Sequence, residues 1–379
     1  MANSRKLAAI AAALGTAILA AGCGTSSSGS SGSSSGTNFA KVTSAAQGGG
    51  MAALIKAAKA EGTLNVITLP SNWANYGTIM KDFTAKYGIK IVDANPEGSS
   101  QDEINAMEQE KGQSRAPDVL DMGTSFAIEA QDKGLLAPYK VATYSDIPAS
   151  SKSAQADWYA DYGGYVAIGY NPAKVKVAPT SFQSLLNPAY KHEVAINNNP
   201  TEAAAAFDAV WAAALANGGS FGNIEPGVTF FKKLNAEGNF VPVAAGPTTV
   251  ENGSTPIVVW WDYLLASEVQ SAIPGFKIVI PSDASFAAYY DQAISATAPH
   301  PAAARLWEEF LYSTEGQNLW LEGKARPIEL STLVANGTVN KAAYSALPPA
   351  PSGTLTFPSQ AQSTAAENIV TQQWPSVVG

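Results

Sequence analysis

The chain is poor in the side chains that most often bind transition metals. It contains one cysteine and two histidines. His192 and His300 lie far apart, beside charged or turn residues, and we expect both to be solvated rather than to bind a metal. A single cysteine cannot form an internal disulfide. The composition therefore predicts neither a metal centre, nor another cofactor, nor a disulfide framework.

Basic residues are also scarce. There are 23 Lys and Arg against 31 Asp and Glu, which gives a formal net charge of −8 and an isoelectric point near 4.9. Nucleic acid phosphates would be repelled by such a surface, so nucleic acid is not an expected partner. The apolar share of 46% is typical of a globular protein, and the length of 379 residues favours two lobes over one core.

Long hydrophobic runs are missing except at the N-terminus. The run at 7–21 follows two basic residues and ends in small residues, which is the layout of a secretory signal peptide at 1–22. At roughly 15 residues, it is short of the ~20 that span a bilayer, so a retained membrane span is the weaker alternative. The stretch that ends in Cys23 resembles a bacterial lipobox, although Ala20 stands where leucine is usual. The alternative is a plain secreted protein with an unmodified cysteine.

A segment rich in serine and glycine follows Cys23. Residues 24–36 are almost wholly Ser and Gly, a composition that cannot bury apolar surface and behaves as a flexible tether. We expect residues 23–50 to hold a lipidated cysteine and this tether. The protein is then predicted to be extracytoplasmic and lipid-anchored to the outer face of the cell membrane.

Helix and strand patterns alternate after residue 50. Short apolar segments typical of strands lie at 64–69, 90–93 and 118–122, with amphipathic helices between them. Such alternation indicates crossover units on a parallel sheet. Ligands of these sheets lie beyond the carboxyl ends of the strands, so the loops at 70–73, 95–100 and 123–125 are candidates for binding.

Several short motifs, each weak alone, form a specific pattern in their order and spacing. They lie at 57–64, 97–100, 110–119, 133–139, 170–172, 298–304, 315–317 and 326–327. Together they resemble the substrate-binding proteins of bacterial ABC importers of the type 2 periplasmic-binding class. The resemblance is to extracellular solute-binding family 1, in the branch of ferric-ion, aminophosphonate and polyamine binders.

The resemblance implies an α/β protein with the type 2 periplasmic-binding-protein fold, in which two α/β lobes with a crossing hinge enclose an interlobe ligand cleft. It implies a monomer whose partners are a small solute and the ABC permease subunits. Crossings are expected near 157–164 and 281–287. The expected divisions are 51–160 for the first part of lobe 1, 161–284 for lobe 2, 285–335 for the return to lobe 1, and 336–379 for a C-terminal segment that packs on the lobes.

Hydroxyl groups at two helix starts are candidates for an anionic group of the ligand. Backbone amides and hydroxyls at Ser99 and Ser100 could bind a carboxylate or phosphonate, and Thr201 has the same chance in the other lobe. The alternative is that these side chains only cap helices. Further candidates are the neighbouring residues Asn72, Thr124 and Tyr165.

An aromatic and acidic segment is the strongest local candidate for binding an amine. It comprises Trp260, Trp261 and Asp262, and suits an ammonium group through cation–π attraction and charge pairing. Strand alternation sends the two indoles to opposite faces, and we assign Trp261 with Asp262 to the ligand and Trp73 to the facing wall. The alternative is that all are plain core or surface aromatics.

The sequence also has to be compared with three other functions. Ferric-binding relatives carry adjacent tyrosines at the place of Trp260 and Trp261, and the pair Tyr289–Tyr290 does not restore that motif. A secreted cell-surface hydrolase is the alternative from another class, but no Gly-x-Ser-x-Gly elbow precedes a helix. A structural or adhesive surface lipoprotein stays open as well. We predict a receptor, not an enzyme, for a polyamine-like solute or an aminophosphonate-like zwitterion; the alternative within the same fold is a receptor for ferric ion, another anion or a sugar.

Overall fold

The computed structural model describes residues 37–351 and 357–378, which form one compact unit from Asn38 onward. The expected signal peptide at 1–22, Cys23 and the tether up to residue 36 lie outside the described residues. Within the part that is described, no helix is long and apolar enough to cross a membrane.

Ten strands form two sheets in the described part of the chain. They are β1 (Thr63–Ile67), β2 (Lys90–Ala94), β3 (Val119–Gly123), β4 (Leu136–Ala137), β5 (Trp158–Tyr170), β6 (Val194–Ile196), β7 (Ile257–Trp261), β8 (Lys277–Val279), β9 (Ala287–Ser295) and β10 (Arg326–Pro327). β1 and β2 pair alone, and the large sheet has the order β3-β9-β5-β7-β6, with β4 on β9 and with β8 and β10 on β5.

The strand directions are mixed. β1 pairs with β2 in parallel, as does β6 with β7. β9 pairs antiparallel with β3 and β5, and β5 pairs antiparallel with β7 and β8. The prediction of a parallel sheet is therefore right for the short crossover pairs and wrong for the long central strands. These strands pass each other in opposite directions at the centre of the molecule.

Strand β5 changes partner along its length. Trp158 to Tyr165 pair with β9, whereas Val166 to Tyr170 pair with β7. A bulge after Ala160 brings Gly163 against the carbonyl of Ala288 of β9, where a Cβ atom would clash with backbone. The change of partner lies where the sequence analysis expects the first crossing between lobes.

Helices cover both sheets. They are α1 (Met51–Glu61), α2 (Tyr76–Tyr87), α3 (Ser100–Gln109), α4 (Thr124–Asp132), α5 (Ala204–Ala216), α6 (Glu225–Ala236), α7 (Pro247–Asn252), α8 (Asp262–Leu264), α9 (Gln270–Ala272), α10 (Pro301–Leu311), α11 (Thr314–Glu322), α12 (Leu330–Ala335), α13 (Lys341–Ser345), α14 (Gln360–Gln373) and α15 (Pro375–Val378). A π-helical turn, Leu265–Val269, joins α8 to α9. Helix α5 is buried over most of its surface, which explains its alanine-rich sequence.

The C-terminal helices contact both expected lobes. Helix α14 packs on α4 and α6, and α15 packs on α6. Trp374 lies 5.5 Å from the ring of Phe231, and the side-chain amide of Asn235 donates a 2.7 Å hydrogen bond to the carbonyl of Val377. The segment therefore ties two helices that are distant in sequence.

Candidate functional site

A polar cleft of about 470 Å³ opens between loops that follow strands and the first turns of helices. The loop after β1 contributes Asn72 and Trp73, and the start of α3 contributes Ser99 and Ser100. The opposite wall comes from the start of α5 at 203–205, the segment 244–249 and the π-helical turn. The sequence therefore predicted one wall of this cleft, at Asn72, Trp73, Ser99 and Ser100.

The charges in the cleft are all of one sign. Four carboxyl groups line it, those of Glu97, Glu103, Asp121 and Glu268, while no Lys, Arg or His side chain is among its described lining residues. Nor do the described residues bring together three Asp, Glu, His or Cys side chains in an arrangement that could hold a metal ion. The described lining of the cleft therefore supplies acids that a cation can pair with and no positive charge that would hold a free anion.

Asp121 is held by a chain of hydrogen bonds. The indole N–H of Trp73 donates to the hydroxyl oxygen of Tyr162 at 2.8 Å, and that hydroxyl donates to Oδ2 of Asp121 at 2.7 Å. Oδ1 of Asp121 is buried and has no hydrogen-bond partner among the described residues. Burial raises the pKa of Asp121 to about 7, although Tyr162 lowers it. Hydrogen bonds with Tyr76 and Gln292 lower this pKa as well, so the carboxyl group of Asp121 is fixed by its neighbours beside the cleft.

The side chain of Glu103 forms a hydrogen bond with the backbone of Asp121. Its carboxylate accepts a 2.6 Å hydrogen bond from the hydroxyl of Thr68 and a 2.9 Å bond from the backbone N–H of Asp121. Burial raises the pKa of Glu103 well above its usual range. Because both of its oxygens already accept hydrogen bonds, Glu103 positions the backbone of Asp121 rather than binding a ligand directly.

Glu268 lies on the π-helical turn, half-buried at the edge of the cleft. Burial raises its pKa to about 8, the negative charge of Glu97 adds to this effect, and a hydrogen bond with Asn72 lowers it. The π-bulge matters because such turns displace side chains from the regular helical positions and are frequent at functional sites. Sequence reasoning missed Glu268 since nothing in the local pattern marks that turn.

Three aromatic rings form another wall of the cleft. The ring of Trp73 lies 5.9 Å from that of Trp260 and 5.7 Å from that of Tyr290, the latter edge to face. The indole N–H of Trp260 has no hydrogen-bond partner among the described residues. This wall and the carboxyl groups around it are the two elements of a site for an organic cation.

The two long helices that begin at the cleft differ in their caps. Ser99 caps α3 in a reciprocal capping box with Asp102, and the hydroxyl of Ser100 accepts a hydrogen bond from the N–H of Gly123. Helix α5 begins after Ala203, in extended conformation, and no side chain caps it. Its first amides therefore remain donors at the cleft wall. In the sequence, these free amides could have been recognised from the residue at the cap position, Ala203, whose side chain has no hydrogen-bond acceptor.

The structure places Trp261 and Asp262 away from the cleft. The indoles of Trp260 and Trp261 do point to opposite faces of β7, but it is Trp260 that lines the cleft, whereas Trp261 is 1% exposed beside Tyr263. Asp262 is fully buried and forms a 2.7 Å ion pair with Arg326. The tryptophan that can contact a ligand in the cleft is therefore Trp260 and not Trp261.

Three further candidates also lie elsewhere. Tyr165 packs under the guanidinium of Arg326, 4.8 Å from its ring centroid, and its N–H donates to Asp262. Thr124 lines a second cavity on another face of the sheet, and Thr201 lines a third near the C-terminus. Of the nine ligand candidates named from the sequence, Asn72, Trp73, Ser99 and Ser100 come together in the cleft, and the other five do not.

Known structures share this fold. The periplasmic binding protein P5PA matches with a TM-score of 0.66 at 19% identity, covering 83% of this chain and 99% of that one. AfuA from Actinobacillus pleuropneumoniae, with fructose-6-phosphate bound, matches with 0.67 at 18% identity, covering 83% and 97%. A periplasmic thiamin binding protein matches with 0.66 at 18% identity, covering 84% and 96%. These likenesses confirm the type 2 periplasmic-binding-protein fold.

The family is shown by the sequence match as well. Residues 114–349, more than half of the chain, match the family described as bacterial extracellular solute-binding protein. The matched range includes β5, β7 and β9, which build the centre of the large sheet, and the uncapped start of α5. The chain belongs to the family of bacterial extracellular solute-binding proteins.

Proposed function

We propose that this protein is the extracytoplasmic receptor of an ABC import system for a small amine-bearing solute. The observation that carries the proposal is the cleft itself, in which four carboxyl groups and three aromatic rings are accompanied by no basic side chain among the described lining residues. An anion such as free phosphate or a carboxylate would be repelled there unless it also carried positive charge.

The amine is expected between the aromatic wall and the acids. An ammonium ion near Trp260 gains cation–π attraction, and it can donate to the half-buried Glu268 beside the carboxyl group of Asp121. Positive charge lowers the pKa of both acids, whose values of about 7 and about 8 reflect burial. Amine binding at neutral pH should therefore release protons from the cleft.

The uncapped start of α5 favours a zwitterion within this class. Its first amide donors, at Ala204 and Ala205, belong to residues that line the cleft and would bind a carboxylate or phosphonate group. An aminophosphonate-like zwitterion would use both ends of the site. A polyamine would use only the acidic one, so it is the second candidate.

Other members of the fold bind varied ligands. A putative spermidine/putrescine ABC transporter from Listeria monocytogenes matches with a TM-score of 0.63 at 13% identity, covering 83% of this chain and 99% of that one. A ferric binding protein from Campylobacter jejuni matches with 0.61 at 19% identity, covering 83% and 99%. For this chain iron is disfavoured, because Tyr290 faces the cleft while Tyr289 lines another cavity. Two phenolates thus do not converge.

The wider role follows from the family and from the N-terminal sequence. Closure of two lobes over the solute, rather than chemistry, would be the functional event, and delivery to the permease would follow. We propose that acylated Cys23 anchors a monomer to the outer face of the membrane. Loss of the protein from the membrane fraction in Cys23→Ser would support the anchor.

Calorimetric titration of the full chain in mild detergent tests the ligand class. Aminophosphonates, amino acids and polyamines are compared with phosphate, sugars and ferric citrate. Glu268→Gln should weaken binding of the amine at least about tenfold, since a charge-assisted hydrogen bond contributes about 1.5–3 kcal/mol. Glu251→Gln, an exposed acid on α7, is the matched control and should leave binding unchanged.

A change at the start of α5 separates the two candidates. Ala203→Asp supplies a side-chain cap and a negative charge at a residue whose extended backbone suits a cap. It should abolish binding of a zwitterion while leaving a polyamine bound as well or better. The proposal would be overturned if the protein bound only sugars or phosphate. It would also be overturned if Glu268→Gln left the affinity for the amine unchanged.

A further inference from the structure

A second cavity lies on a different face of the central strands from the cleft. On β9, Tyr290 lines the cleft, whereas Tyr289 and Asp291 line the second cavity, as alternation along a strand requires. Helix α5 contributes Phe207, Asp208 and Trp211, which share one helical face. This space of about 50 Å³, which we call the rear cavity, has room for a few groups the size of a water molecule.

Two buried acids line the rear cavity without a basic partner among the described residues, although a hydrogen bond with Thr124 lowers the pKa of Asp291. Asp291 is 1% exposed, and its Oδ2 has no hydrogen-bond partner among the described residues. Asp208 is 8% exposed, and its carboxyl group forms no hydrogen bond or ion pair with any described residue. Burial raises the pKa of both groups well above the usual range, and the charge of Asp208 adds to the effect on Asp291. An uncompensated buried carboxylate is costly, so these acids need a proton or a cation.

The rest of the wall combines aromatic rings with the hydroxyl groups of Thr124 and four serines, and supplies no positive charge. Trp158, Phe207 and Trp211 line the cavity with Phe286 stacked on Trp211 at 5.8 Å, and no Lys, Arg or His is among the described lining residues. Aromatic faces around carboxylates are the usual surroundings of an ammonium group. A metal ion is not the expected occupant, because the described residues bring together no group of three Asp, Glu, His or Cys side chains that could hold one.

We propose that the rear cavity is a binding site for a small primary ammonium ion, of the size of ammonium or methylammonium, held between Asp208 of α5 and Asp291 of β9. The site is separate from the ligand cleft and does not depend on which solute the cleft takes. An ion there would tie α5, at whose start the cleft ligand is expected, to the strand that pairs with β5.

Thermal unfolding of the full chain in mild detergent tests this site. At pH 7.5 and equal ionic strength, ammonium or methylammonium chloride should raise the Tm by about 2 °C or more over sodium or potassium chloride. Asp291→Asn and Asp208→Asn should each remove that difference. Glu308→Gln, which changes a fully buried acid of α10 outside the cavity, should retain it.

A cleft variant and a measurement on the unchanged protein complete the test. Glu268→Gln should keep the ammonium effect, because the rear cavity is intact. In the wild type, ¹⁵N-ammonium should give an NMR signal protected from rapid exchange that methylammonium displaces. That signal decides the matter if the aspartate variants fail to fold.

Three results would overturn the proposal. Equal Tm in all four salts with no protected signal would mean that the acids are simply protonated. An equal rise with sodium or potassium would mean a general salt effect. An ammonium effect lost in Glu268→Gln but kept in Asp291→Asn would place the ion in the cleft.

Discussion

Removal of Arg326 should be among the most damaging single changes that leave the cleft lining untouched. Its Nη1 donates to Oδ2 of Asp262 at 2.7 Å, Nη2 donates to the carbonyl of Pro348 at 2.6 Å, and the guanidinium lies over Tyr165. The Asp262 side chain is fully buried and that of Arg326 is 11% exposed. Arg326→Leu therefore leaves a buried carboxylate without its counter-charge.

The expected cost is about 3–5 kcal/mol at pH 7, the range for breaking one side of a buried pair. Asp262 keeps the N–H donors of Tyr165 and Tyr263, both at 2.9 Å, but these do not neutralise it. Burial raises its pKa, and Arg326 lowers it, so the variant raises the folded-state pKa further above the unfolded value. The loss relative to wild type should thus be small near pH 4 and grow as the pH rises through the folded-state pKa.

Urea unfolding across pH 4.5–8 measures this effect. The double variant Asp262→Asn/Arg326→Leu removes both charges and should recover at least about 1.5 kcal/mol of the loss at pH 7. Lys86→Leu is the control, since its pair with Glu315 is exposed and should contribute at most about 1 kcal/mol. A cost of Arg326→Leu below about 1 kcal/mol, or one that does not change with pH, would refute the reasoning.

Two more predictions concern the packing of helices. The side chain of Asp118 accepts a 2.8 Å hydrogen bond from the ring of His300, and this bond raises the pKa of His300. The wild type should therefore be more stable than His300→Gln below pH 6.5, and this advantage should vanish as the pH rises through the folded-state pKa of His300. Urea unfolding at several pH values measures the difference. A Cβ atom on Gly227 of α6 would meet the carbonyl of Val210 in α5, so Gly227→Ala should lower the Tm by several degrees, whereas the uncrowded control Gly222→Ala should change it little.

Many helices and strands of the fold could be predicted from the sequence because local patterns of residues determine them. The strands at 64–69 and 118–122 are found within two residues of the predicted bounds, and helices lie between them as predicted. The full length of β5 could not be predicted, because this strand begins at Trp158 and continues through two adjacent glycines. Gly163 and Gly164 resemble a break in a strand, yet they are needed where β9 and Asp262 approach the backbone closely.

Only one side of the cleft could be predicted from the sequence. Asn72 and Ser99 follow strands whose carboxyl ends meet at one edge, and a general rule of α/β sheets places such loops at the ligand. The opposite wall depends on tertiary contacts. Thr201 and Ala203 are two residues apart, but the helix begins after Ala203, so its amides line the cleft while Thr201 lines another cavity.

The two acids that follow Trp261 show why a local motif could not identify the ligand group. Asp262 is adjacent to the tryptophans, but Arg326, 64 positions away, compensates its charge and makes it part of the core. Glu268 lies six residues further on, where the π-helical turn brings it to the cleft with no ion-pair partner among the described residues. A buried acid with a counter-charge stabilises the fold, whereas one without it can bind a cation. The role of each acid therefore follows from its partners in the structure and not from its neighbours in the sequence.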